Sequence, residues 1–216
     1  MSIDYKTLLQ YAEAEEVINK SKFIGYAMPI NSEQEAVEFV EKIKKKHWNA
    51  THNVPVYLFG EKNEVQRYSD DGEPSGTAGI PILEMLKKEE IKNVVIVVTR
   101  YYGGVKLGTG GLVRAYTSAA KLAINEAKVV ERVVNDLFLV RIDYTLHGKV
   151  QNELMNGDYI IKETTYDDKV NIFVYCRPDL SNKLVSRITD VSSGKASIEE
   201  KDQVYLTIQD GKVIDD

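Results

Sequence analysis

The sequence predicts an α+β fold in two parts, and three observations carry that prediction. Val94 to Thr99 is an unbroken β-branched run, followed from Gly110-Gly111 by a long stretch of helical periodicity: a doubly covered strand and a helix to lie on it. From Asp136 onward the strand and helix patterns follow the order β-α-β-β-α-β, that of a split βαβ, ferredoxin-like unit. The segment Tyr68 to Tyr116 holds eight of the chain's 14 glycines, a density kept where backbone needs positive φ or close approach.

At 216 residues the chain has room for one or two domains with proper cores. The change of pattern puts a boundary near Val130 to Asn135, dividing 1–132 from 133–216 without a long linker. A hydrophobic fraction of 43% with 28% charged residues is ordinary for a globular protein. No apolar run approaches the ~20 residues of a membrane helix, and the N-terminus has neither the basic start nor the apolar centre of a signal peptide. The expectation is a cytoplasmic protein without membrane contact. The one cysteine, Cys176, leaves no internal disulfide and reads as a buried thiol at a strand end. Net charge is −5: residues 1–134 carry 18 basic and 18 acidic side chains, and 135–216 carry 10 and 15. Nucleic-acid binding by the overall field is excluded, so any such contact must be a local patch.

In chain order, Glu15 to Asn19 and Lys22 to Ile30 read as strands. Ser32 with Glu35 forms a capping-box pattern, and Ala36, Val37, Phe39, Val40 and Ile43 share a helical face. That helix ends near Lys46-His47, where Lys42, Lys44, Lys45 and Lys46 suit the helix dipole; a nucleic-acid patch is the sharper alternative. Val54 to Phe59 and Val65 to Tyr68 form a hairpin around Gly60 to Asn63. Ile80-Pro81 opens a second helix. The third has Leu112, Ala115, Tyr116, Ala119, Leu122, Ala123 and Ala127 at helical spacing. Beyond Asp136 the elements are Leu137 to Tyr144, a helix at Gly148 to Met155, strands Tyr159 to Thr165 and Val170 to Tyr175, a helix at Leu180 to Thr189, and a last strand Ala196 to Ile208.

The chemistry concentrates in two loops. In the first, Asp70, Asp71 and Glu73 stand beside Ser75 and Thr77, an oxygen-rich set that suits a hard cation. The same residue types also bond their own backbone in turns. In the second, Gly108, Thr109, Gly110 and Gly111 directly precede a helix, which is a recipe for holding an anion, with Arg100, Lys106 and Arg114 adding charge. Close helix packing also asks for glycine there. Neither a Walker loop nor a dinucleotide fingerprint is present. Tyr101 and Tyr102 offer stacking surface. His52 lacks a nucleophile partner, and no catalytic constellation emerges.

The strings Ser21-Lys22-Phe23-Ile24, Ala50-Thr51-His52-Asn53, Asp70 to Gly79 followed by Pro81, Val98 to Gly104 and Leu107 to Tyr116 strongly resemble the YigZ/IMPACT family. The resemblance implies a first domain like the second domain of ribosomal protein S-five, and a second, ferredoxin-like domain similar to the last domain of elongation factor G. It further implies a link to translation, since eukaryotic relatives modulate translational control. Two departures stand out: Val54 where many members have cysteine, and Ile80 where the position is often basic. The resulting expectation is a non-enzymatic, cytoplasmic binding protein without a cofactor or metal. Its partner would be RNA, the ribosome or a translation-machinery protein. The candidate surface comprises His52, Asp70, Asp71, Glu73, Ser75, Thr77, Arg100, Tyr101, Tyr102, Lys106, Thr109 and Arg114, with Gly108, Gly110 and Gly111 as anion-binding backbone. The alternative is a phosphate- or nucleotide-binding enzyme that uses the Gly108–Gly111 loop, with Mg²⁺ at Asp70, Asp71 and Glu73.

Overall fold

The computed structural model describes residues 4–214, which divide into two compact units. One holds the residues up to Arg132 together with Ile208–Lys212, and the other Val133–Thr207 with the residues from Val213.

The first unit contains β1 (Tyr5–Leu8), β2 (Ala12–Ile18), β3 (Ser21–Pro29), α1 (Glu33–Lys46), β4 (His52–Phe59), β5 (Val65–Tyr68), α2 (Gly79–Lys88), β6 (Val94–Tyr101) and α3 (Thr109–Ala127). Five strands form a sheet in the order β2-β3-β6-β4-β5, with antiparallel neighbours throughout. The apolar run is the central strand, and its pleat explains why every position is apolar. Val94, Ile96 and Val98 pack into one cluster with α2 and α3, while Val95 and Val97 pack on the other face against Phe39, Val40 and Ile43 of α1. The outer strands are β2, whose Glu13 and Glu15 are exposed, and the four-residue β5.

Local signals place the helices. The hydroxyl of Ser32 accepts the Glu35 N–H at 3.2 Å, and the Glu35 carboxylate accepts the Asn31 N–H at 2.8 Å, so α1 begins on a reciprocal cap. Helix α3 buries Leu112, Ala115, Tyr116, Ala119, Ala120, Ala123, Ile124 and Ala127, a face of small residues that lets it lie close on β2 and β3. Leu122, expected on that face, points outward. The contact is tight enough that a Cβ on Gly25 of β3 would stand 2.2 Å from the Ala119 carbonyl oxygen.

The second unit is built on β7 (Val129–Ile142), α4 (His147–Met155), β8 (Ile160–Tyr166), β9 (Val170–Cys176), α5 (Ser181–Ser192), β10 (Ser197–Gln209) and β11 (Lys212–Ile214). The sheet order β11-β10-β7-β9-β8 contains the fourth, first, third and second strands of the β-α-β-β-α-β unit. The core residues Phe138, Val140, Ile142, Ile172 and Val174 pack with Val150 and Leu154 of α4 and with Leu184 and Ile188 of α5. The α+β class therefore stands. One expectation needs correction, and two strands were not foreseen. β7 begins at Val129, eight residues before the expected Leu137, so the division near Arg132 falls inside a continuous strand. β1, paired antiparallel with Val129 to Arg132, and the short β11 were both unanticipated. Among the described residues, no helix is long and apolar enough to cross a membrane.

Two measurements check this packing. Gly25→Ala must push α3 off the sheet, and the expected loss is about 1–3 kcal/mol in a urea titration. Burial pushes the Cys176 thiol up to about 11, so the folded protein at pH 8 is expected to resist alkylation, with one equivalent of label taken up only in denaturant.

Candidate functional site

The three carboxylates of the first loop face three different sets of donors. Asp70 Oδ1 accepts the N–H groups of Ala78 (3.1 Å) and Gly79 (2.8 Å), and its Oδ2 accepts that of Gly76 at 2.8 Å. It thereby caps α2, whose own N-cap residue Ala78 has no side chain for the purpose. Asp71 Oδ2 accepts the Asn53 N–H at 2.6 Å. Thr77 is buried and donates to the Pro74 carbonyl at 2.6 Å, whereas Ser75 is exposed. Glu73 turns inward. Because these oxygens do not converge, the shared Mg²⁺ site is corrected: among the described residues no three or more His, Cys, Asp or Glu are grouped to hold a metal ion.

Glu73, only 9% exposed, lies at the centre of a buried constellation. Its Oε1 accepts Arg100 Nη1 at 2.6 Å and the Tyr116 hydroxyl at 2.7 Å, with His52 Nε2 at 3.6 Å. Burial and the Glu73 carboxylate hold the Tyr116 phenol far above its ordinary value, so it remains a donor. His52 Nδ1–H donates to the Asp71 carbonyl at 2.7 Å. Arg100 Nη2 reaches Ser21 Oγ at 3.3 Å, and the same oxygen accepts the Gly103 N–H at 3.2 Å. The guanidinium lies 5.3 Å from the Phe23 ring centroid and 5.5 Å from that of Tyr102. Arg100, expected as a surface phosphate contact, is thus 4% exposed and neutralised from within.

A second network begins beside the first. His47, the buried C-cap of α1, has Nε2 at 2.5 Å from the Tyr26 hydroxyl and Nδ1 at 2.8 Å from that of Tyr101, which donates onward to Asn49 Oδ1 at 3.4 Å. Neutral imidazole satisfies this chain: Tyr26 O–H donates to Nε2, and Nδ1–H donates to Tyr101. Burial, then the Lys46 charge, pulls His47 below its ordinary value, in keeping with that state. Asn53 Nδ2 donates to the His47 carbonyl at 3.1 Å, and Asn53 Oδ1 accepts Thr99 Oγ1 at 2.7 Å. Tyr101 is therefore half-buried and structural, whereas Tyr102 is 45% exposed. Tyr116 and Asn53, read from the sequence only as a core position and as part of a motif, belong to these networks, and Trp48, unmarked in the sequence, is 82% exposed.

In the second loop Lys106, Gly108, Thr109, Gly110 and Arg114 are exposed, and Gly111 packs on Leu107. Helix α3 has Gly108 as its N-cap residue, with no side-chain cap and no acidic residue in its first turn. Gly103 is required by close approach, since a Cβ there would lie 1.9 Å from the Lys20 carbonyl oxygen. The registers His52 opposite Arg100 and Lys22 opposite Tyr101 bring the starts of β3 and β4, the end of β6 and both loops to one end of the sheet.

Comparison with known proteins matches residues 19–124 to the Impact N-terminal domain and residues 140–195 to a domain of unknown function, DUF1949. The IMPACT family member YvyE of Bacillus subtilis is 45% identical over 202 residues, which covers 94% of this chain and 93% of that one. The chain belongs to the IMPACT family. Within the family, YigZ of Escherichia coli is 33% identical over 153 residues, covering 67% of this chain and 75% of that one. A solved structure described as a hypothetical protein superposes with a TM-score of 0.58 at 27% identity, covering 92% of this chain and 98% of that chain. The strings that carried the resemblance to IMPACT proteins are those now seen to build the end of the sheet.

Glu73→Gln leaves the Arg100 charge buried without a counter-charge, with an expected loss of roughly 3–5 kcal/mol by chemical denaturation. The double change Glu73→Gln/Arg100→Met should cost less than Glu73→Gln alone. His47 binds its proton more readily unfolded than folded. Its contribution to stability is therefore complete above the ordinary value of 6.5 and is lost as pH falls below it. The melting temperature of the His47→Gln variant should fall less between about pH 7 and about pH 5 than that of the parent.

Proposed function

We propose that this IMPACT family protein is a non-enzymatic, cytoplasmic binding protein of the translation machinery. Its partner is RNA, the ribosome or a translation factor, met by the surface that runs from Tyr102 through the second loop to Arg114. One observation carries the reading: the groups that would do acid–base or metal chemistry are consumed inside the protein, while two cations of the second loop and the start of α3 are free. Asp70 caps a helix, Asp71 holds Asn53, and Glu73 is tied to Arg100 and Tyr116. Lys106 and Arg114 have no ion-pair partner among the described residues and flank an uncapped helix N-terminus, an arrangement suited to acidic or phosphate groups. The family resemblance supplies the setting in translation.

The uncapped N–H groups at Gly108 to Gly111 favour a second reading, a phosphate or nucleotide held there. A bound nucleotide would stabilise the protein by roughly 2.7 kcal/mol at a hundredfold excess over its dissociation constant.

Sedimentation with ribosomes and with total RNA across a salt series separates the two. Association that weakens with salt, with the log-log slope reduced by roughly one per charge in Lys106→Ala and Arg114→Ala, is the expected result. Absence of any association at low salt, together with a melting shift on adding nucleotide, would overturn the first reading in favour of the second.

A further inference from the structure

We infer that the turn after α1 is a platform for single-stranded RNA: Trp48 stacks on a base while Lys42, Lys44 and Lys45 hold neighbouring phosphates. The inference rests on the RNA branch of the proposed function and assigns it a surface outside the second loop.

The first observation is a contradiction between anchoring and exposure. The residues on either side of Trp48 are fixed: His47 between Tyr26 and Tyr101, Asn49 by the Tyr101 hydroxyl, Ala50 by its N–H to the His47 carbonyl at 3.0 Å, and Thr51 by its N–H to the Arg100 carbonyl at 2.9 Å. Thr51 Oγ1 in turn accepts the Tyr102 N–H at 3.0 Å. Within this held turn, the indole of Trp48 is 82% exposed. Packing does not explain the position of the largest side chain in the turn, because the indole contributes to none of the apolar cores. A flat ring on a fixed backbone can stack on a base without the entropic cost of ordering a loop.

The second observation is charge. Residues 42–46 carry four lysines, and Glu41 is the adjacent acidic residue. Lys46 is bound to Glu13 at 3.1 Å and sits 4.9 Å from the centroid of the Tyr26 ring. Lys42, Lys44 and Lys45 have no ion-pair partner among the described residues; Lys42 and Lys45 are exposed and Lys44 is half-buried. The surroundings decide between RNA and an acidic protein. A protein hot spot needs apolar neighbours that exclude water around the aromatic anchor. Here the neighbours in sequence are lysines, Asn49, Ala50 and Thr51, which suit a hydrated sugar–phosphate chain instead. The exposed Tyr102, whose backbone N–H is tied to Thr51, lies at the same end of the sheet.

Trp48 is the chain's one tryptophan, so its fluorescence reads this site alone. The experiment titrates the full chain with a labelled oligouridylate of about 12 nucleotides, following tryptophan quenching and label anisotropy together across a salt series. Expected are saturable quenching that tracks anisotropy, roughly 10- to 100-fold weaker anisotropy binding in Trp48→Ala, and a salt slope lower by about two in Lys42→Ala/Lys44→Ala/Lys45→Ala. Circular dichroism melts confirm that each variant folds. Anisotropy binding with silent Trp48 fluorescence and no effect of Trp48→Ala would overturn the platform and leave the broader RNA reading standing. Absence of anisotropy binding at low salt would remove both. Quenching by polyglutamate but not by the oligonucleotide would overturn the platform in favour of an acidic protein partner.

Discussion

The end of the first sheet depends on one buried charge. A guanidinium with almost no access to water must have its counter-charge beside it, and Glu73 is what the chain supplies to Arg100. From that requirement the rest of the site follows. Glu73 is carried on the first glycine-rich loop, so the loop must fold back over β6. Tyr116 donates to the same oxygen and ties down α3, and Arg100 reaches across to Ser21 at the start of β3. Asp71 then meets the Asn53 N–H on β4, and the Asn53 side chain hands the network on to His47. Polar groups that look reactive in the sequence thus act as fasteners among three strands and a helix. Most of their hydrogen-bonding groups are paired within this network, which ties this end of the sheet together.

Much of the fold was legible, because periodicity and caps are local. The apolar run of β6 announced burial on both faces, Ser32 and Glu35 announced the start of α1, and the alternation after Asp136 announced the second unit. Elements stabilised only by distant partners left no such mark: Tyr5 to Leu8 is a strand because it pairs with residues some 120 positions later, and four residues show no period. The site was legible in location but not in role. Arg100 and Lys106 look alike in the sequence, yet Arg100 lies on an inward position of β6 and Lys106 on an open loop. Asp70, Asp71 and Glu73 looked like one cluster because they are neighbours in sequence, whereas turns at Asp71 and Gly72, both with positive φ, send them apart. Trp48 was overlooked because nothing local marks an aromatic residue after a helix as solvent-facing. Its exposure follows from His47, the adjacent residue, taking the buried position.

The structure also separates two kinds of surface that the glycine content had merged. The first loop is closed, with its carboxylates turned onto backbone and arginine, and its glycines serve a tight path. The second is open, with its cations unpaired and a helix start free of any cap. The first surface is spent on holding the fold together, and the second is left facing solvent.

The outer strands of the first sheet carry a further implication. Any sheet with free edges can in principle go on adding strands from neighbouring copies, ending in fibres. Here one edge is β2, whose exposed Glu13 and Glu15 are paired with Lys46 and Lys22, so the edge carries fixed charge of both signs. The other is β5, four residues long and carrying Arg67, too short to template a growing ladder. Both edges of this sheet thus carry features, charge on one and shortness on the other, that disfavour the addition of a further strand.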